Sequence, residues 1–152
     1  MTDSLLKAGE RIDQLFSSNI KIIQNKDVFS FSVDSVLLSR FPNIPAKKGL
    51  IVDLCSGNGA VGLFVAGQTK AHIIQVELQE RLADMNQRSI QLNDLNEQIS
   101  VIQDDLSNLP HHIGLSKVDL MLCNPPYFKV DERSNLNESE HYLLARHEIA
   151  TN

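Results

Sequence analysis

At 152 residues, with 42% hydrophobic and 22% charged residues, the chain can build one domain with its own core and has the composition of an ordinary globular protein. No apolar run reaches the length of a membrane span, and residues 1–16 carry charges where a signal peptide would be apolar, so a cytoplasmic protein is expected. A formal net charge of −5 excludes holding nucleic acid by bulk electrostatics alone; such a substrate needs a local patch or further parts.

Between residues 3 and 16, Leu5, Leu6, Ile12, Leu15 and Phe16 alternate with charges, which predicts an amphipathic helix. Residues 20–24 form a short β-prone run. Ser32-Val33-Asp34 then opens a helical pattern through Val36, Leu37, Leu38 and Phe41 that Pro42 ends, with Asp34 in the first turn where a carboxylate complements the helix dipole. Residues 43–49, with Pro45, Lys47 and Lys48, read as a loop. From Leu50 strands and helices alternate: strands over 50–54, 72–77, 99–103 and 118–123, helices over 60–67 and 79–93, and a short crossover over 106–113. Repeated βα units of this kind predict a parallel, right-handed, doubly wound α/β sheet.

The turn after the first of these strands is glycine-rich, with Gly57, Gly59 and Gly62 following Asp53. Gly57 and Gly59 let backbone approach a ligand, and Gly62 lets the next helix pack closely on the sheet. That spacing also suits dinucleotides, but the acid at Asp53 disfavours a pyrophosphate and favours the ammonium of a methionine-type cofactor. Glu77 ends the second strand, where a carboxylate can accept from both hydroxyls of a ribose. Asp104 and Asp105 close the third strand, either as a helix cap or as an acceptor for an adenine amino group, for which Asp105 is preferred. Cys55 and Cys123 read as buried thiols of a reducing compartment, and the five histidines lack ligand spacing, so no metal is expected.

The fourth strand stops at Asn124-Pro125-Pro126-Tyr127 because two prolines cannot donate to a ladder. Asn124 Oδ1 and the Pro125 carbonyl, the latter oriented by Pro126, can accept both hydrogens of a planar NH2 group and aim its lone pair at an electrophile. Tyr127 supplies a ring for the target plane, and stacking of a base on an aromatic is worth roughly 1–3 kcal/mol.

Together these residues resemble class I S-adenosylmethionine-dependent N6-adenine methyltransferases. More narrowly, the chain resembles the tRNA1(Val) (adenine(37)-N6)-methyltransferase family, in its Gram-positive branch, through residues 10–15, 22–24, 29–38, 53–62, 124–128 and 145–148. Ser35 stands where the family usually has Ala. The resemblance implies S-adenosyl-L-methionine as cofactor and tRNA as substrate. It implies that Phe31 and Asp34 help close the cofactor site, that Asp53, Gly57 and Gly59 hold the methionine end, Glu77 the ribose and Asp105 the adenine, and that Asn124, Pro125 and Tyr127 hold the target base. Residues 1–48 would be a lead-in packing on that site and residues 49–152 the cofactor-binding core. Family members continue well beyond residue 148, which implies a Rossmann-like sheet truncated here after its fourth parallel strand, with an unpaired edge through which copies can associate. Competing readings are a protein glutamine N5-methyltransferase, which faces the same amide chemistry, a non-catalytic fragment of a methyltransferase, and an NAD-dependent oxidoreductase, which leaves Asn-Pro-Pro-Tyr unexplained.

Overall fold

The computed structural model describes residues 2–14, 19–28 and 31–126. Four strands, β3 (Leu50–Leu54), β4 (His72–Glu77), β5 (Ile99–Gln103) and β6 (Leu120–Cys123), form one parallel sheet in the order β5-β4-β3-β6. A separate antiparallel pair, β1 (Glu10–Gln14) and β2 (Lys21–Asn25), precedes them. The helices are α1 (Val33–Arg40), α2 (Ala60–Ala66), α3 (Glu80–Leu92) and the single turn α4 (Leu109–His112).

The parallel strands read as unbroken apolar runs because both of their faces are covered. On one face Ile51, Ile73, Ile99 and Leu122 pack with Leu63 and Val65 of α2 and Ile90 of α3. On the other, Val52, Ile74 and Val76 pack with Leu109 of α4. The sheet is therefore wound on both sides, as expected. Strand order reverses at β3, which has β4 on one side and β6 on the other.

The amphipathic helix expected over residues 3–16 is not what forms. Thr2–Leu5 is a short 3-10 turn, Gly9 takes φ +79°, which no helix accommodates, and residues 10–14 extend into β1. Register with β2 sets Ile12 opposite Ile23, so tertiary pairing overrides the helical spacing of the apolar residues. Leu15 and Phe16 lie outside the described residues. The helix begun by Ser32 does form, but it turns Ser35 and Ser39 inward, at 4% and 1% exposure, and leaves Leu37 and Phe41 outward, at 60% and 88%. Small serines permit close approach to α2, and the Ser39 hydroxyl donates to the Val36 carbonyl at 2.7 Å.

The N-terminal pair is held on α3. Ile23 N–H donates to Ser89 Oγ at 2.9 Å, and Arg88 donates to both oxygens of Glu10, at 2.5 and 2.7 Å, while also reaching Asp84 and the Leu5 carbonyl. The Glu10 side chain is only 3% exposed. Burial opposes its ionisation, but the hydrogen bonds from Arg88 and the Lys7 amide outweigh burial and hold its pKa below the ordinary value. A carboxylate with a depressed folded pKa adds stability above its unfolded pKa, and that increment is lost as pH falls. Arg88→Ala leaves Glu10 without its cation. It is expected to cost about 3 kcal/mol at pH 7 and to weaken the dependence of stability on pH in the acid range, both read by urea unfolding.

Candidate active site

At the C-terminal end of the sheet a cavity of about 330 Å³ opens over the point where β3 and β6 diverge, within the size range of small-molecule sites. Eight of the residues singled out from the sequence line it: Phe31, Gly57, Glu77, Asp104, Asp105, Asn124, Pro125 and Pro126. Asp53 and Gly59 lie beneath its surface instead, 1% exposed and turned into the protein interior respectively. Asp34 borders a neighbouring shallow groove that also touches Cys123 and Asn124. Tyr127 lies outside the described residues.

The glycine turn is shaped by side chains below it. Gln75, fully buried in the middle of β4, donates through Nε2 to Asp53 Oδ2 at 2.9 Å and to the Gly59 carbonyl at 3.2 Å. A Cβ on Gly62 would run into the Gln75 amide and one on Gly59 into Asn86, so both positions require glycine for close approach. Asn86 Nδ2 donates to Ser56 Oγ at 3.2 Å, and Asn58 Nδ2 to the Ile23 carbonyl at 3.1 Å, which ties the turn to α3 and to β2. Reading the sequence missed these supports. The available signal was Gln75 itself, a polar residue amid the apolar run of β4.

Glu77 is bound by the turn's own backbone. Its Oε2 accepts from Gly57 N–H at 2.7 Å and its Oε1 from Gln79 N–H at 2.9 Å. Burial raises its pKa, and these amide bonds offset part of that rise. Each oxygen keeps a second lone pair for a ligand hydroxyl. Asp105 caps the following 3-10 turn through Ser107 N–H at 2.8 Å, while Asp104 accepts from Asn108 Nδ2 at 2.8 Å and contacts His112 Nε2 at 2.7 Å. The bonds from Asn108 and His112 hold the Asp104 carboxyl at about 2. Asp105 thus caps the turn, Asp104 braces it through side chains, and both still face the cavity. Phe31 enters from the N-terminal segment, edge-on to Phe64 with ring centroids 6.1 Å apart.

The cysteines depart from expectation. Cys123 is exposed rather than buried, Cys55 is half-buried, and both line the cavity at the β3–β6 junction. Strand pairing brings together residues that sequence distance keeps apart, and the end of β6 opens on the cavity.

The sequence profile of the methyltransferase small domain family matches residues 19–145. The chain belongs to that family. The tRNA1(Val) (adenine(37)-N6)-methyltransferase of Aliivibrio fischeri is 33% identical over 119 residues, which cover 76% of this chain and 47% of that protein. Its namesake from Photobacterium profundum is 26% identical over 119 residues, 76% of this chain and 48% of its own. This methyltransferase small domain chain thus spans about half the length of the curated relatives it matches. Among solved structures, a candidate transferase from Pyrococcus horikoshii aligns with TM-score 0.63 at 20% identity, over 82% of this chain and 45% of that one. The TYW2 protein of M. jannaschii in complex with AdoMet aligns with TM-score 0.53 at 18% identity, over 66% and 45%. These likenesses show the Rossmann-like class I methyltransferase fold. Among the described residues no helix is long and apolar enough to cross a membrane.

Asp53 carries a measurable signature. Burial raises its pKa from 3.8 to about 7, against the opposing bond from Gln75, so the folded chain holds a proton that the unfolded chain releases. Stability from this group is therefore full below pH 4 and lost as pH rises toward 7, by up to about 4 kcal/mol. Asp53→Asn is expected to flatten the fall in unfolding free energy between pH 4 and pH 7, measured by urea titration.

Proposed function

We propose that this chain carries the cofactor site and the NH2-binding motif of an S-adenosyl-L-methionine-dependent methyltransferase that acts on the exocyclic N6 of adenine in tRNA, at adenine 37 of a valine tRNA. One observation carries the reading: the glycine turn after β3 and Asn124-Pro125-Pro126 after β6 open into the same cavity, at the point where strand order reverses. The names of the relatives support the substrate class.

The residues present suit the cofactor. The cavity is of ligand size, Glu77 offers acceptors for a ribose, and Asp104, Asp105 and Leu106 line the side at the end of β5, where an adenine ring fits. Asp53 Oδ1, buried beneath the turn, has no hydrogen-bond partner among the described residues, which suits an ammonium reached through water. When bound, S-adenosyl-L-methionine supplies an electrophilic methyl group. The work of the protein is then positional: Asn124 Oδ1 and the Pro125 carbonyl accept the two N–H groups of the target amine, and its lone pair is aimed along the transfer axis. Apolar walls from Val61, Val76 and Leu82 exclude water from the cofactor's side of the site. The net charge of −5 assigns tRNA affinity to local contacts rather than to bulk electrostatics.

Titration calorimetry with S-adenosyl-L-methionine and with NAD tests the site. The first is expected to bind and the second not, and Glu77→Ala is expected to weaken binding about tenfold or more. In a tRNA methylation assay, Asn124→Ala should leave cofactor affinity intact and slow transfer about a hundredfold or more. Binding of NAD alone would overturn the cofactor, and methylation of a release-factor glutamine with none of tRNA would overturn the substrate.

A further inference from the structure

The chain has two cysteines, and the fold places both on the cavity assigned above to the cofactor, where the methyl transfer gives neither thiol a role. In the β3–β6 ladder Leu54 stands opposite Cys123, and Cys55 is the next residue along. Adjacent strands run about 4.8 Å apart and rise about 3.3 Å per residue, so a residue one step past the opposite partner lies roughly 6 Å away, within the Cα separations of roughly 4.4–6.8 Å over which a disulfide closes. At Cys55 the chain leaves the strand with φ +55°, and both cysteines line the cavity at the ends of their strands. Cys123 is exposed, whereas Cys55 is half-buried behind it.

We propose that Cys55 and Cys123 form a dithiol modification site, at which a peroxide converts the pair into an intramolecular disulfide. Cys123 is the attacking thiol. It is the accessible member, and the bond from the Cys55 thiol lowers its pKa to about 7, while that bond, burial and the nearby carboxylates of Glu77 and Asp53 push Cys55 upward. Its thiolate attacks one peroxide oxygen, the O–O bond breaks, and the departing hydroxide takes up a proton as water, leaving a sulfenic acid on Cys123. Cys55 Sγ then attacks Cys123 Sγ, the S–O bond breaks, and the second hydroxide leaves as water with the Cys55 proton. Two thiols and one peroxide give one disulfide and two waters, so the sulfurs lose the two electrons that the peroxide gains. In a reducing compartment thiol exchange returns the pair to its starting state.

Intact mass spectrometry of the full chain after a stoichiometric dose of hydrogen peroxide provides the test. The expected product has lost two hydrogens, resists thiol alkylation, runs as a monomer without reductant and reverts with dithiothreitol. Cys55→Ser should instead hold a sulfenic acid on Cys123 that dimedone traps, and Cys123→Ser should keep a reduced Cys55 at the same dose. Because strand register places the two cysteines on neighbouring strand ends, the bridged chain should unfold at a higher urea concentration than the reduced chain. Independent over-oxidation of the two sulfurs, a disulfide-linked dimer, no reaction at this dose, or a lowered unfolding midpoint would each overturn the proposal. None of these readouts depends on cofactor binding, so the failure of either proposal is distinguishable from that of the other.

Discussion

Strand β3 is paired on both sides, by β4 and by β6, and that double pairing is the constraint on which the rest of the structure depends. Parallel strands all present their C-terminal ends at one edge of the sheet. Where the order reverses, the connections leaving two neighbouring strands pass to opposite faces and a crevice opens between them. Here the crevice has the glycine turn of β3 on one wall and Asn124-Pro125-Pro126 of β6 on the other. A register slip of one residue in β6 would turn Leu122 out of the core and move Asn124 away from the cavity, so the same apolar packing that stabilises the strand also aims the polar residue beyond it.

Beneath that crevice lies a layer of buried polar groups that gives the turn one shape. Gln75 holds Asp53 and the Gly59 carbonyl, Asn86 holds Ser56, and Glu77 holds the Gly57 amide. A bond of this kind adds only about 1 kcal/mol net, but leaving one of its partners buried and unmatched costs about 1–3 kcal/mol. The layer therefore contributes less through its sum than through the penalty on any alternative loop conformation. The elevated pKa values of Asp53 and Glu77 report the same condition, carboxyl groups held away from water. The antiparallel β1–β2 pair completes this support from outside, because Asn58 and Ser89 both bond the backbone of Ile23.

Much of this was legible in the residues. The four parallel strands appear as short apolar runs because a strand covered on both faces has no polar alternation, and their bounds at 50–54, 72–77 and 99–103 are those of the structure. The glycine turn, Glu77 and the Asn-Pro-Pro stop were readable because each ends or directly follows a strand, so local chain direction places them at one edge of the sheet. Residues 3–16 misled because their apolar spacing satisfies a helix, while what they form is decided by Gly9 and by a partner strand. The outward face of α1 misled for a related reason: Ser35 and Ser39 are polar in sequence but small enough to let two helices touch.

The sequence by itself determined the order and type of the core elements, the family, and which side chains end each strand, since these depend on local periodicity and on residues that cannot continue a ladder. Only the tertiary structure decided that Asp53 supports the turn from below rather than lining the cavity, that Glu77 is already bonded to the glycine backbone, and that Cys55 and Cys123 share one cavity. Those outcomes depend on lateral neighbours across the sheet. Strand pairing fixes them through backbone hydrogen bonds, which carry no residue code, so spacing along the chain holds no record of them.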